Sequence, residues 1–264
     1  MFMCNGLFCS THYFVPWQRH FSRDHRVVQF DYRSHGKSDD TPDLSSMTMA
    51  QFIDDAASVM KTTCQEKAIV VGHSMGVRVA LELYARMPDR ISALILLCGS
   101  AFDSLGPILS RFPLRQYLLA ILRLGSHATP IAKMLKDLTV RNDLVSTVGY
   151  TLGGLSRTLT PREPVEGLLA NLNRLDVRVM PPLASSYIRH SARPILPHVN
   201  VPTLFLVGEK DAMATPSHAR ISTRILPNAE PYVVRDCTHL APVERPDEVH
   251  DAVSSFLSRH RVVP

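Results

Sequence analysis

A chain of 264 residues, 45% of them hydrophobic, is long enough to bury one large core and short for two of ordinary size. It holds no uninterrupted apolar run of about 18 residues and no charged segment leading into an apolar stretch at its start, MFMCNGLFCS, so neither a membrane span nor a secretory leader is expected and a cytoplasmic protein is. The formal charge of +5 is uneven: residues 101–196 carry 12 Lys and Arg against 6 Asp and Glu, the remainder 17 against 18, and a surplus with neither interleaved aromatics nor a binding module gives no reason to expect nucleic acid.

The elements alternate along the chain. HRVVQF (His25 to Phe30) reads as a strand. Thr48 and Gln51 then form a capping box for a helix whose Met49, Phe52, Ile53, Ala56, Val59 and Met60 share one face. AIVVG (Ala68 to Gly72) is a second strand, followed by a helix with Val77, Ala80, Leu81 and Tyr84 inward and Pro88 beyond its end. ALILLC (Ala93 to Cys98), TLFLVG (Thr203 to Gly208) and PYVVRD (Pro231 to Asp236) complete the strands, and a closing helix carries Val249, Val253, Phe256 and Leu257. Short, continuous apolar strands taken in turn with helices predict a parallel sheet covered on both faces.

The segment 101–196 breaks this rhythm. It has no convincing strand and shows helical faces instead: Tyr117, Leu118, Ile121 and Leu122; Ile131, Met134, Leu135 and Leu138; Val165, Leu168, Leu169 and Leu172. Gly149 to Gly154 and Met180, Pro181, Pro182 read as loops between them. The predicted organisation is a core of 1–100 and 197–264 with a helical cap inserted at 101–196. The five cysteines (Cys4, Cys9, Cys64, Cys98, Cys237) are odd in number and lack any C-x-x-C pair, which reads as free thiols without a zinc site.

One stretch carries chemistry. In VVGHSMGVRVALEL, Ser74 stands between Gly72 and Gly76 where a strand gives way to a helix. G-x-S-x-G alone is a weak signal, but at a strand-to-helix joint it describes a sharp turn that lifts a hydroxyl above the sheet's carboxyl edge, with the helix N-terminus aimed at the same point. A serine hydroxyl needs a base, and the base needs a carboxylate. His239 in DCTHLAPVERP follows a strand directly; His73 is expected to face away from Ser74, and His35 to brace its loop. Asp211 in LFLVGEKDAMATP ends another strand, with Asp103 as its rival after Cys98.

These residues resemble the α/β-hydrolase superfamily, in its serine esterase and lipase-like branch. CNGL is similar to the family's oxyanion loop and FDYRSHGKSD to its D-x-R-G-H-G-x-S loop, and the order Ser, Asp, His is the family's order. Asn5 stands where the family usually has His, and Ser34 where it usually has Gly. The resemblance implies an oxyanion hole from the backbone N–H groups of Leu7 and Met75, a two-step acyl transfer on a small-molecule ester of short to medium chain, and no metal or organic cofactor. Carbon–carbon, lactone or amide cleavage on the same residues, a non-catalytic ligand receptor, and a lipase whose basic cap meets anionic lipid remain alternatives. A serine nucleophile disfavours epoxide hydrolase and haloalkane dehalogenase chemistry, which needs Asp there. The family also places two strands before the oxyanion loop, for which three residues leave no room. The expectation is about six strands, opening with a short one at Met1 to Cys4, and an edge near HRVVQF that a longer reading frame, a partner or a loop would cover.

Overall fold

The computed structural model describes residues 1–64, 66–102, 129–141, 144–151 and 153–262. A five-stranded, wholly parallel sheet runs β1 (Phe2–Cys4), β2 (Ala68–His73), β3 (Ile91–Leu97), β4 (Thr203–Gly208) and β5 (Ala229–Val234), neighbouring in chain order. Every strand therefore ends at the same edge, and the loops leaving that edge build the site.

Side chains along the strands alternate between two apolar layers, as the period of two requires. Phe2, Val70, Leu94, Leu96, Phe205 and Val207 meet α2 (Met49–Thr63) and α3 (Gly76–Arg86) on one face. Met3, Ile69, Val71, Ile95, Leu97, Leu204 and Leu206 meet α1 (Val15–Phe21) and the closing helix, Pro246–Arg259, on the other. Half of the expected capping box forms at the start of helix α2: Thr48 Oγ1 accepts from the Gln51 N–H at 3.2 Å, but the Thr48 N–H donates to Ser46 O at 2.9 Å rather than to the Gln51 side chain; Phe52, Ile53, Ala56 and Met60 are buried.

HRVVQF is not a strand of the ladder. Only Val28 pairs, bridging β1 through Val28 N–H to Met1 O at 2.8 Å and Met3 N–H to Val28 O at 3.0 Å. Beyond it Gln29 turns its amide to Phe14 O and Gln18, so the β-branched run leaves the sheet after one pair, and among the described residues the sheet has five strands where about six were expected. The last strand also departs from expectation. It begins two residues earlier than PYVVRD and is half exposed, because it forms the other edge and has a helix on each side only in part.

Between β3 and β4 lie α4 (Thr129–Arg141), α5 (Leu144–Thr151), α6 (Arg162–Arg174) and α7 (Met180–Arg189), with no strand among the described residues. The face containing Tyr117 to Leu122 lies outside the described residues, as do the side chains of Ile131 and Leu135. In α4 the two described residues of the expected apolar face, Met134 and Leu138, are 61% and 53% exposed, whereas Val140 is buried and Lys136 Nζ donates to Asn173 O and Leu175 O at the end of α6. Gly149 belongs to α5 rather than to a loop, and Met180, Pro181 and Pro182 open α7, where a proline's missing N–H costs nothing. Three helices complete the chain: α8 (Pro216–Ile225), the single turn α9 (Ala241–Glu244) and α10 (Pro246–Arg259).

Candidate active site

Ser74 occupies the joint between β2 and α3 with φ +55°, a left-handed conformation that a non-glycine residue holds only when its surroundings fix it. They do. Ser74 N–H donates to Leu97 O at 3.0 Å, and a Cβ on Gly72 or Gly76 would lie 2.3 Å from Gly76 O or 2.1 Å from Cys4 O. The turn closes only because both positions are bare.

The loops after β4 and β5 bring two further side chains to that serine. Asp211 Oδ2 lies 2.9 Å from His239 Nδ1, and His239 Nε2 lies 2.9 Å from Ser74 Oγ. With Nδ1–H donating to the carboxylate, Nε2 is left to accept from the serine O–H, which is the proton path that a nucleophilic serine requires. Asp211 Oδ1 in turn accepts from the Met213 and Ala214 N–H groups, both at 2.8 Å. Asp211 and His239 are buried while Ser74 is partly exposed, so the charge-bearing pair is shielded and the hydroxyl is reachable. The rival acid, Asp103, lies outside the described residues.

Leu7 lies on the loop after β1 and Met75 follows Ser74 at the N-cap of α3, and neither N–H has an acceptor among the described residues. Gly6 packs against Ser74, and Phe8 next to Leu7 takes φ +59°. At the two positions unusual for the resemblance, Asn5 Nδ2 donates to Phe30 O at 3.0 Å, and Ser34 adopts φ +61°, the conformation for which glycine is the ordinary choice.

The alpha/beta hydrolase fold family model matches residues 1–246. The chain belongs to that family. Among curated relatives it is 25% identical to a mouse protein named sn-1-specific diacylglycerol lipase ABHD11, over 88% of this chain and 72% of the relative. It is 33% identical to the Escherichia coli esterase YbfF over 35% of each chain. A solved esterase from Thermogutta terrifontis superposes with a TM-score of 0.74 at 22% identity, covering 98% of this chain and 89% of that one.

Two histidines named in the sequence, and two residues that it did not single out, Glu244 and Arg78, surround this hydrolase-fold site. His73 Nε2–H donates to the His239 carbonyl at 3.2 Å while its ring stacks on Tyr13 at 4.2 Å. Burial, reinforced by neighbouring His239, pushes its pKa down to about 3, so it stays neutral beside the site. His35 braces its loop through Nδ1 and Arg33 O, as expected. Glu244, buried, accepts from Thr238 N–H, Thr238 Oγ1, Thr160 Oγ1 and Ser156 N–H, which ties the residue before His239 to the segment between β3 and β4. Arg78, fully buried on α3, donates to the carbonyls of Ser100, Phe102, Tyr187 and His190 and lies 4.1 Å over the Tyr187 ring. An arginine inside VRVALEL was the one visible signal, since a buried guanidinium demands several acceptors. Among the described residues, no group of three or more His, Cys, Asp or Glu side chains could hold a metal, and no helix is long and apolar enough to cross a membrane.

Proposed function

We propose that this α/β hydrolase is a serine esterase acting on carboxylic esters with small to medium acyl chains. The observation that carries the reading is the unbroken Asp211, His239, Ser74 hydrogen-bond chain ending on a strained, partly exposed serine. In this reading His239 takes the Ser74 proton as Oγ attacks the ester carbonyl, and the oxyanion is held by the Leu7 and Met75 N–H groups. His239 then gives that proton to the departing alcohol. Water, deprotonated by the same imidazole, cleaves the acyl-enzyme to the acid and restores Ser74. In this reading the described residues of the inserted segment, α4 to α7, serve as the cap that bounds the acyl pocket. The hydrolase names of the relatives agree with the reaction class.

A panel of p-nitrophenyl esters from two to sixteen carbons, with simple lactones and an anilide alongside, tests the reading. The expected result is turnover that peaks at short to medium chains and disappears in Ser74→Ala. A wild-type protein no faster than Ser74→Ala on every ester, or one faster on lactones or the anilide, overturns it.

A further inference from the structure

Helix α6 presents four residues on one face, Glu163, Gly167, Asn171 and Arg174, spaced by four, four and three. Each meets either the segment after β1, at residues 8–12, or the loop at residues 36–38. His12, just past the turn at Leu7 and Phe8, lies with Nε2 3.0 Å from Glu163 O, and its ring fills the space where a Cβ on Gly167 would come within 1.9 Å. Arg174 donates to Ser38 O at 3.0 Å. Between them Asn171, only 5% exposed, donates from Nδ2 to Phe8 O at 2.6 Å and accepts at Oδ1 from Gly36 N–H at 2.8 Å. Asp31 closes the arrangement from below, accepting from Thr11 N–H at 2.6 Å and Lys37 N–H at 2.9 Å.

Phe8 is the point of interest. Its φ of +59° is a costly conformation for a bulky residue, and it persists only where neighbours hold the peptide groups on either side. The amide of Asn171 is the described side chain that grips the Phe8 carbonyl, one residue from the Leu7 N–H. We infer that Asn171, from the segment between β3 and β4, is a positioning residue that fixes the oxyanion turn and so is needed for transition-state stabilisation though it touches no substrate. This rests on the proposed serine-esterase reading. A donor displaced from the oxyanion loses stabilisation that it gives only in the transition state, so the effect belongs in kcat rather than KM.

Three variants separate the roles. Asn171→Asp keeps an acceptor for Gly36 N–H but turns a carboxylate oxygen toward Phe8 O; Asn171→Ser keeps a donor; Asn171→Ala keeps neither. Each is compared with wild type for kcat and KM on the best p-nitrophenyl ester, for inhibition by an alkyl trifluoromethyl ketone whose serine adduct places an oxyanion in the hole, and for amide exchange over residues 6–12. The expected result is a kcat about 10- to 100-fold lower in Asn171→Asp and Asn171→Ala, with KM within threefold and ketone affinity weakened in parallel, and partial recovery in Asn171→Ser. Exchange at residues 6–12 rises in Asn171→Asp. Unchanged exchange and kcat in Asn171→Asp, or a loss confined to KM, overturns the inference. Should Asn171→Ala not fold, the Asp and Ser variants decide it. Absence of Ser74-dependent turnover in the wild type overturns the esterase reading instead, and the exchange measurement then still tests the brace.

Discussion

The two oxygens of Asp211 have different tasks. Oδ1 accepts two backbone N–H groups of its own loop and Oδ2 faces His239 Nδ1. Asn at this position keeps the first task, because its Oδ1 accepts the same pair, but it presents an N–H where the imidazole also carries one. His239 must then place its proton on Nε2 and can no longer accept from Ser74. Asp211→Asn is therefore expected to leave the melting temperature within a few degrees of wild type and lower kcat by up to about 10⁴-fold; ester turnover and thermal unfolding measured together check it. Ser74, Asp211 and His239 were legible because each follows a strand at one sheet edge in a short motif. Asn171, Glu244 and Arg78 were not. Asn171 and Arg78 grip backbone carbonyls far along the chain, and a carbonyl has no residue type to read. Glu244 takes most of its bonds from backbone N–H groups and hydroxyls for the same lack of signal.

At the scale of elements, the joint between β2 and α3 closes tightly against β1, where a Cβ on Gly76 would meet the Cys4 carbonyl. A methyl group there has only backbone to displace. Gly76→Ala is expected to destabilise the fold by about 1–3 kcal/mol or more, read as a lower denaturation midpoint or loss of soluble protein. The same substitution at Gly154, where the nearest atom is the flexible Met213 Sδ at 3.3 Å, should be tolerated far better. Strands β2, β3 and β4 were legible since burial on both faces leaves a continuous apolar run. HRVVQF carried that signature too. Its single bridge at Val28 marks the limit of composition, which reports the tendency to extend but not whether a neighbour continues alongside.

Across the whole molecule, buried histidines contribute to its response to acid: burial pushes His35 down, and two others lie lower still. Burial pushes His73 down to about 3, and burial with His20 stacked at 4.3 Å pushes His250 down to about 4. In the unfolded chain a histidine titrates near 6.5. Below that pH the unfolded state binds protons that the native state refuses, so the stability these two residues provide is complete above pH 6.5 and declines as pH falls toward 4. The slope is about 1.4 kcal/mol per pH unit for each histidine inside that window. Melting temperatures from pH 7.5 to 4.5 should fall on the acid side, and His250→Gln, which cannot titrate, should flatten the decline. An identical slope in the variant would assign it elsewhere.

The stems gathered by Arg78 form a seam. Ala192 N–H donates to Ala101 O at 2.8 Å, so the chain leaves the sheet and returns to it at neighbouring points. Whatever lies between can grow, shrink or be exchanged without rearranging the strands, because the entropy of closing a loop rises only slowly with its length. The brace at Phe8 restricts that freedom: on the proposed reading, a transplanted segment that shapes a new pocket yet carries no counterpart of Asn171 is expected to bind its substrate and fail to turn it over.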